Sequence, residues 1–237
     1  MKCLLIAHRC GPGKYPEQSI ASARRSLALG ADMVEMDVQY TSDGNPVICH
    51  DPSAERIFGV DKLIRDVPFR EFMTYRHVID RSYPAHSLDD VLSEPDVRPL
   101  LLHCKFSGEL LKDLVEHIMF WHAESRCVLG VLQESDVETI KTENDTIGVL
   151  SFMPRLEQLE GFLKSRADYI RLWEDWVSLD RIEAIHACGK QIWVMAGKPS
   201  QESVGYTSDD NLKKWVSMGV DGILINDICW ARSRLGM

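Results

Sequence analysis

The sequence lacks the marks of several large protein classes. Its seven cysteines (Cys3, Cys10, Cys49, Cys104, Cys127, Cys188, Cys229) form no Cys-x-x-Cys pair and are odd in number. That excludes a disulfide scaffold and a ribbon-type zinc site, and predicts reduced thiols. No stretch approaches 18 apolar residues, and the opening MKCLLIAHRC holds one lysine and a short apolar run over residues 3 to 7. Neither a membrane-spanning helix nor a secretory signal core fits that pattern. Positive charge is in deficit, with 27 Lys and Arg against 36 Asp and Glu and a formal charge of -9. A binding mode built on neutralising nucleic-acid phosphates is thereby excluded. Repeats and low-complexity tracts are also missing. What these absences leave is a soluble, acidic enzyme, cytoplasmic, with no nucleic-acid partner and no stable membrane anchor.

What is present is alternation. The apolar runs CLLIA (3 to 7), DMVEMDV (32 to 38), PLLLHC (99 to 104), CVLGVL (127 to 132), IGVLSF (147 to 152), DYIRLW (168 to 173), QIWVMA (191 to 196) and DGILIN (221 to 226) read as eight strands. Amphipathic segments lie between them, several ending in the glycine that stops a helix. Strands alternating with helices imply a parallel sheet covered by helices. Eight such units in 237 residues match an α/β fold of the closed (β/α)8, or TIM-barrel, type. An open doubly wound sheet would also alternate, but the first turn, HRCGPGKYPE, has no G-x-G-x-x-G. The chain therefore reads as a single barrel domain over 1–237. The one long connection, residues 51 to 97 between strands two and three, reads as an insertion with helix-like DVPFREFMTYR and SLDDVLSE segments.

A barrel of this kind presents chemistry at the C-terminal ends of its strands. The polar residues there are His8 and Arg9 after strand one, Glu35 and Asp37 on strand two, His50 and Asp51 soon after, and His103 and Lys105 ending strand three. Side chains alternate along a strand, so Glu35 and Asp37 share one face and His103 and Lys105 share another. Two ionised carboxylates about 7 Å apart in a partly buried mouth repel each other and call for a cation or raised pKa values. A hard divalent metal meets that need; a solvated pair beyond the packed layers is the alternative. His8 and His50 could divide proton removal and donation near neutral pH, or each could be a satisfied structural histidine. Arg9 and Lys105 suit a phosphate, as a forked and a point charge. Together the set is what phosphodiester hydrolysis requires.

The stretch IAHRCGPGKYPEQSIASARRSLALGADMVEMDVQYTSDGNPVICHDP resembles the opening of the glycerophosphodiester phosphodiesterase (GDPD) family, whose signature runs H-R-G, P-E-N, E-x-D-V-x-x-T-x-D-G-x-P-V, H-D. YPAHSLDDVL, LLHCK and VDGILIND are similar to later segments of the same family. The resemblance implies a (β/α)8 barrel that hydrolyses a small-molecule glycerophosphodiester to glycerol 3-phosphate and an alcohol with a divalent metal ion. It implies His8 and His50 as the catalytic pair, Arg9 and Lys105 as phosphate contacts, Glu35 and Asp37 as metal ligands, and Trp193 as a residue lining the substrate pocket.

Departures accompany the match. Cys10 replaces the glycine of H-R-G, Gln18 the asparagine of P-E-N, and His103 stands where the family supplies a glutamate as third metal ligand. With His103 as ligand, preference shifts from the family's Mg²⁺ or Ca²⁺ towards Mn²⁺ or Zn²⁺. Two further readings stay open: a related phosphodiesterase for lysophospholipids or sugar phosphodiesters, and a catalytically altered barrel that binds a phosphoryl ligand.

Overall fold

The computed structural model describes residues 3–199 and 203–237. Among them are nine strands: β1 (Leu4–Ala7), β2 (Met33–Tyr40), β3 (Pro46–Ile48), β4 (Leu100–Cys104), β5 (Cys127–Val131), β6 (Gly148–Ser151), β7 (Tyr169–Trp173), β8 (Gln191–Met195) and β9 (Gly222–Ile225). All but β3 are parallel, and β1 pairs with both β2 and β9, which closes the barrel. These eight strands stand on the eight apolar runs read from the sequence. Both faces of each strand are covered, which is why the runs are nearly continuous in apolar residues.

The helices are α1 (Ile20–Ala28), α2 (Glu55–Phe58), α3 (Phe69–Phe72), α4 (Leu88–Leu92), α5 (Glu109–Phe120), α6 (Glu134–Glu143), α7 (Leu159–Lys164), α8 (Leu179–Ala187), α9 (Asp209–Ser217) and α10 (Ile228–Leu235). Side-chain caps start many of them: Ser19, Ser178, Ser208 and Asp227 each accept a hydrogen bond from the first turn that follows. After α8 and α9 the chain turns through Gly189 (φ 73°) and Gly219 (φ 91°), a conformation that glycine adopts without strain.

Strand alternation sorts the side chains into two layers. Val34, Met36 and Val38 face outward and join the apolar layer between barrel and helices, whereas Met33 points into the barrel. The barrel interior is filled by Ile6, Met33, Leu101, Val128, Leu150, Trp193 and Leu224. Trp193 fits because Gly222 lies against it; a Cβ there would stand 2.8 Å from the indole Cδ1. Above this plug, towards the strand C-termini, the inward residues turn polar. That change of layer creates the site.

Between β2 and β4 the chain departs from the repeating unit. β3 folds back antiparallel on β2, pairing Val38 with Ile48 and Tyr40 with Pro46. Its turn contains Asp43 and Gly44 (φ 77°), the Asp-Gly signature of a hairpin. The following residues build their own apolar cluster around Ile57, Phe58, Ile64, Phe72 and Tyr75, with the Phe58 and Phe72 rings edge to face at 5.5 Å. DVPFREFMTYR forms only the single turn of α3. After Met73 the backbone pairs instead with residues 83 to 85, through Ala85 N–H to Tyr75 O (3.1 Å) and His77 N–H to Tyr83 O (3.0 Å). Ser87 and Asp90 form a reciprocal capping box at the start of α4.

Candidate active site

A cavity of about 670 Å³ opens at the C-terminal end of the barrel, and His8, Arg9, Asp37, His50, His103 and Lys105 line it. Register explains the convergence, because Asp37 on β2 is paired with His103 on β4. Glu35, Asp37 and His103 bring their ligand atoms within 4.8 Å of one another. Asp37 Oδ1 lies 2.8 Å from Lys105 Nζ and 2.9 Å from His103 Nδ1, and Glu35 Oε1 lies 4.0 Å from the same nitrogen. Gln18 grips Asp37 twice: its amide donates to Oδ2 at 2.5 Å and its carbonyl accepts the Asp37 N–H at 3.0 Å. The Arg9 N–H donates to Glu35 Oε2 at 2.7 Å.

Both carboxylates are only 1% exposed. Burial, reinforced by the charge of Asp37, raises the Glu35 carboxyl above the ordinary range. Burial acts to raise Asp37 as well, but Lys105 and the hydrogen bond from His103 outweigh it and hold that carboxyl well below its usual value. His103 is pushed down to about 4 by burial and by Lys105, so its ring is neutral. Among the described residues its Nε2 has no partner. The neutral ring can therefore hold its proton on Nε2 and turn a lone pair at Nδ1 towards the carboxylates, or hold it on Nδ1 and donate to Asp37.

The other two histidines have their tautomers set by their neighbours. His8 Nδ1 lies 2.8 Å from Asn226 Oδ1, and the Asn226 amide nitrogen donates to Val204 O at 3.1 Å. With Oδ1 as the acceptor, Nδ1 carries the proton and Nε2 is a free lone pair. Burial, then the charge of Arg9, lowers the His8 imidazole to about 3. His50 donates from Nδ1 to Asp51 Oδ1 at 2.5 Å and accepts at Nε2 from Arg9 at 2.7 Å. Asp51 is itself held by Arg56, which makes it an orienting group. His50 is carried back over the mouth by β3: Cys49 N–H donates to Asp37 O (3.1 Å), and Gln39 donates to the carbonyls of Cys49 and Asp51.

Two of the departures from the family signature fall where the backbone is left-handed: Cys10 and Gln18 have φ of 65° and 59°, with Arg9 at 48°. Glycine and asparagine occupy that region readily, and other residues there mark local strain that the surroundings must hold. Cys10 is fully buried, with its thiol 3.5 Å from Glu35 O.

The rest of the mouth is built from residues the sequence alone did not single out. Phe152, Arg171, Trp173, Met195 and Asn226 line the same cavity. Phe152 stacks on the His103 ring at 3.9 Å, in space left by Gly130, where a Cβ would stand 2.4 Å from the Phe152 ring. Counting inward positions along β7 would have found Arg171, since a charged residue facing a barrel interior is uncommon. Trp193 is not brought to the cavity. It is 1% exposed, packs on Tyr169 with ring centroids 4.4 Å apart, and belongs to the apolar plug beneath. Its place two residues before the strand end puts it one layer too deep; Trp173, at the end of β7, is the tryptophan at the mouth.

The model of the glycerophosphoryl diester phosphodiesterase family matches residues 8–229. The chain belongs to this family. Among its relatives, a glycerophosphodiester phosphodiesterase of Caldanaerobacter subterraneus subsp. tengcongensis is 41% identical over 71 residues, 30% of this chain and 29% of that one. Glycerophosphodiester phosphodiesterase 1 of Rattus norvegicus is 26% identical over 91% of this chain and 69% of its own. A lysophospholipase D of Mus musculus is 30% identical, and the chain spans 44% of its length. In fold, the chain is similar to an Oleispira antarctica phosphodiesterase solved in complex with the product sn-glycerol-3-phosphate. That similarity has a TM-score of 0.81 and 18% identity over 99% of this chain and 97% of that one. The family barrel thus accounts for the whole architecture described above. Among the described residues no helix is long and apolar enough to cross a membrane.

Proposed function

We propose that this chain hydrolyses small glycerophosphodiesters to glycerol 3-phosphate and an alcohol, with a divalent cation held by Glu35, Asp37 and His103. The observation that carries the reading is the convergence of those three donors to within 4.8 Å, inside a cavity also lined by His8, His50, Arg9 and Lys105. The donor set fits a cation: two carboxylates buried side by side destabilise each other, and a positive charge between them removes that cost. A bound cation would supply Lewis-acid charge to the phosphoryl oxygens. An imidazole in place of a third carboxylate gives the site one negative charge fewer and favours Mn²⁺ or Zn²⁺ over Mg²⁺ or Ca²⁺.

The protein's own groups divide the remaining work. Neutral His8 takes a proton at Nε2, while Asn226 fixes its ring. His50, backed by Asp51, is suited to take up a proton from solvent at Nε2 and give it to the leaving oxygen once Arg9 turns from that nitrogen to the phosphate, while the proton held on His8 returns to solvent. Lys105 and Arg9 meet the equatorial oxygens. Seven unpaired thiols support a reducing, cytoplasmic setting. A binding-only barrel is the second reading, favoured by Lys105 already neutralising Asp37, with His103 in hydrogen-bond contact with the same carboxylate. One assay separates the two: chelator-stripped protein, given a glycerophosphodiester with Mg²⁺, Ca²⁺, Mn²⁺ or Zn²⁺ in turn, should release glycerol 3-phosphate, most rapidly with Mn²⁺ or Zn²⁺. Ligand binding with no release under any of the four overturns the enzyme reading.

A further inference from the structure

Arg171 occupies a position no catalytic step above uses. It sits on β7, four strands from β2 in either direction around the barrel and hence on the wall opposite Glu35 and Asp37. The side chain lines the cavity yet the residue is only 2% exposed. Among the described residues its guanidinium makes a single hydrogen bond, from Nη2 to Met153 O at 3.1 Å, and Nε and Nη1 have no partner. Among the described residues no carboxylate lies within ion-pair distance of it. A buried guanidinium without an anion is costly, and burial alone works against its charged form.

Its surroundings are aromatic. The guanidinium carbon lies 4.5 Å from the Trp173 ring, 5.1 Å from Phe152 and 5.9 Å from Trp176. Such faces are the ones that would receive a quaternary ammonium. Here they are already engaged by a fixed cation, which repels a second one.

We propose that Arg171 selects substrates whose leaving alcohol carries an anionic group of its own, such as a carboxylate, and rejects those with a cationic head. The inference rests on the phosphodiesterase reading for the place of the reacting phosphate, which the Arg9, His103 and Lys105 side of the mouth receives. A substrate spanning the cavity then brings its head group to the β7 wall, where the unpartnered N–H groups complete their hydrogen bonds on the second anion.

The test is binding, so it stands apart from turnover. The affinities of 2-phosphoglycolate, 2-hydroxyethyl phosphate and phosphocholine are measured by calorimetry on the Mn²⁺-loaded protein, wild type and Arg171→Met. Wild type should prefer phosphoglycolate to phosphocholine by about tenfold or more, the scale of a charge-assisted hydrogen bond. In Arg171→Met the preference should vanish, and phosphocholine should bind more tightly as the aromatic faces come free. Equal wild-type affinities, no binding of phosphoglycolate, or a uniform loss for all three probes in the variant would overturn the proposal; the last result would put Arg171 on the shared phosphate. Should Arg171→Met fail to fold, Arg171→Lys, which keeps the charge, must retain the wild-type preference. Absence of turnover with every cation would sink the enzyme reading and leave this binding result standing.

Discussion

The two walls of the barrel mouth are built from the same repeating unit and carry different chemistry. On the wall of β1, β2 and β4, polar groups satisfy one another at short range: Asp37 pairs with Lys105 at 2.8 Å, Glu35 accepts from the Arg9 N–H at 2.7 Å, and His8 bonds Asn226 at 2.8 Å. On the wall of β6 and β7, Phe152 and Trp173 surround one guanidinium that has no counter-charge among the described residues. On the proposed reading, the first wall would take a cation and a phosphate and the second an anion. One fold would then separate reaction from recognition, because in a closed parallel barrel every strand end delivers a side chain to the same mouth.

Substitution is the hardest test of that separation. His8→Ala and His50→Ala should each lower kcat by about 10²- to 10⁴-fold with the circular dichroism spectrum unchanged. Trp173→Phe on the facing wall should leave kcat within about threefold and act mainly on KM. A large kcat loss from the aromatic wall, or a mild one from the histidines, erases the division.

Metal binding sharpens it next. At a hundredfold excess over its Kd, Mn²⁺ should stabilise the wild type by about 2.7 kcal/mol, read as a rise in melting temperature. Glu35→Gln removes one of two repelling carboxylates, so the metal-free variant should melt no lower than wild type and gain almost nothing from Mn²⁺. An undiminished Mn²⁺ shift in this variant takes Glu35 out of the cation site.

The pH dependence of stability probes the burial of His8. Its imidazole titrates near 3 in the folded, metal-free protein against an ordinary 6.5, so between those values the unfolded chain binds a proton that the native state refuses. The stability tied to neutral His8 is complete above pH 6.5 and is lost as pH falls towards 3. Between pH 6.5 and 5, with chelator present, wild type should lose about 2 kcal/mol more than His8→Gln in denaturant titrations. Parallel curves would mean that His8 is not held neutral. The smallest effect is expected at Gln18, whose two hydrogen bonds fix Asp37; Gln18→Ala should cost about 1–2 kcal/mol and weaken Mn²⁺ binding without abolishing turnover.

Legibility in the sequence followed the range of the interaction. The eight strands could be read because a strand buried on both faces must be apolar along its length. The carboxylate pair could be read because Glu35 and Asp37 interrupt such a run with strand periodicity. The β2–β3 hairpin carries an Asp-Gly turn, which lies inside the family motif. Arg171 carried only the weak signal of a charge at an inward position of β7, and Asn226 gave none, since its role comes from His8 across 218 positions of chain. Trp193 shows the limit most clearly. Its motif neighbourhood pointed to the pocket, while its depth along β8 put it in the plug.

The sequence by itself determined the barrel, the polar ends of its first strands and the family, because periodicity and short motifs are properties of neighbours along the chain. Tertiary structure alone decided how deep each inward side chain sits, which tautomer His8 and His50 adopt, and which buried cation has no carboxylate beside it among the described residues. Those outcomes depend on register and closure, which bring together atoms from opposite ends of the chain.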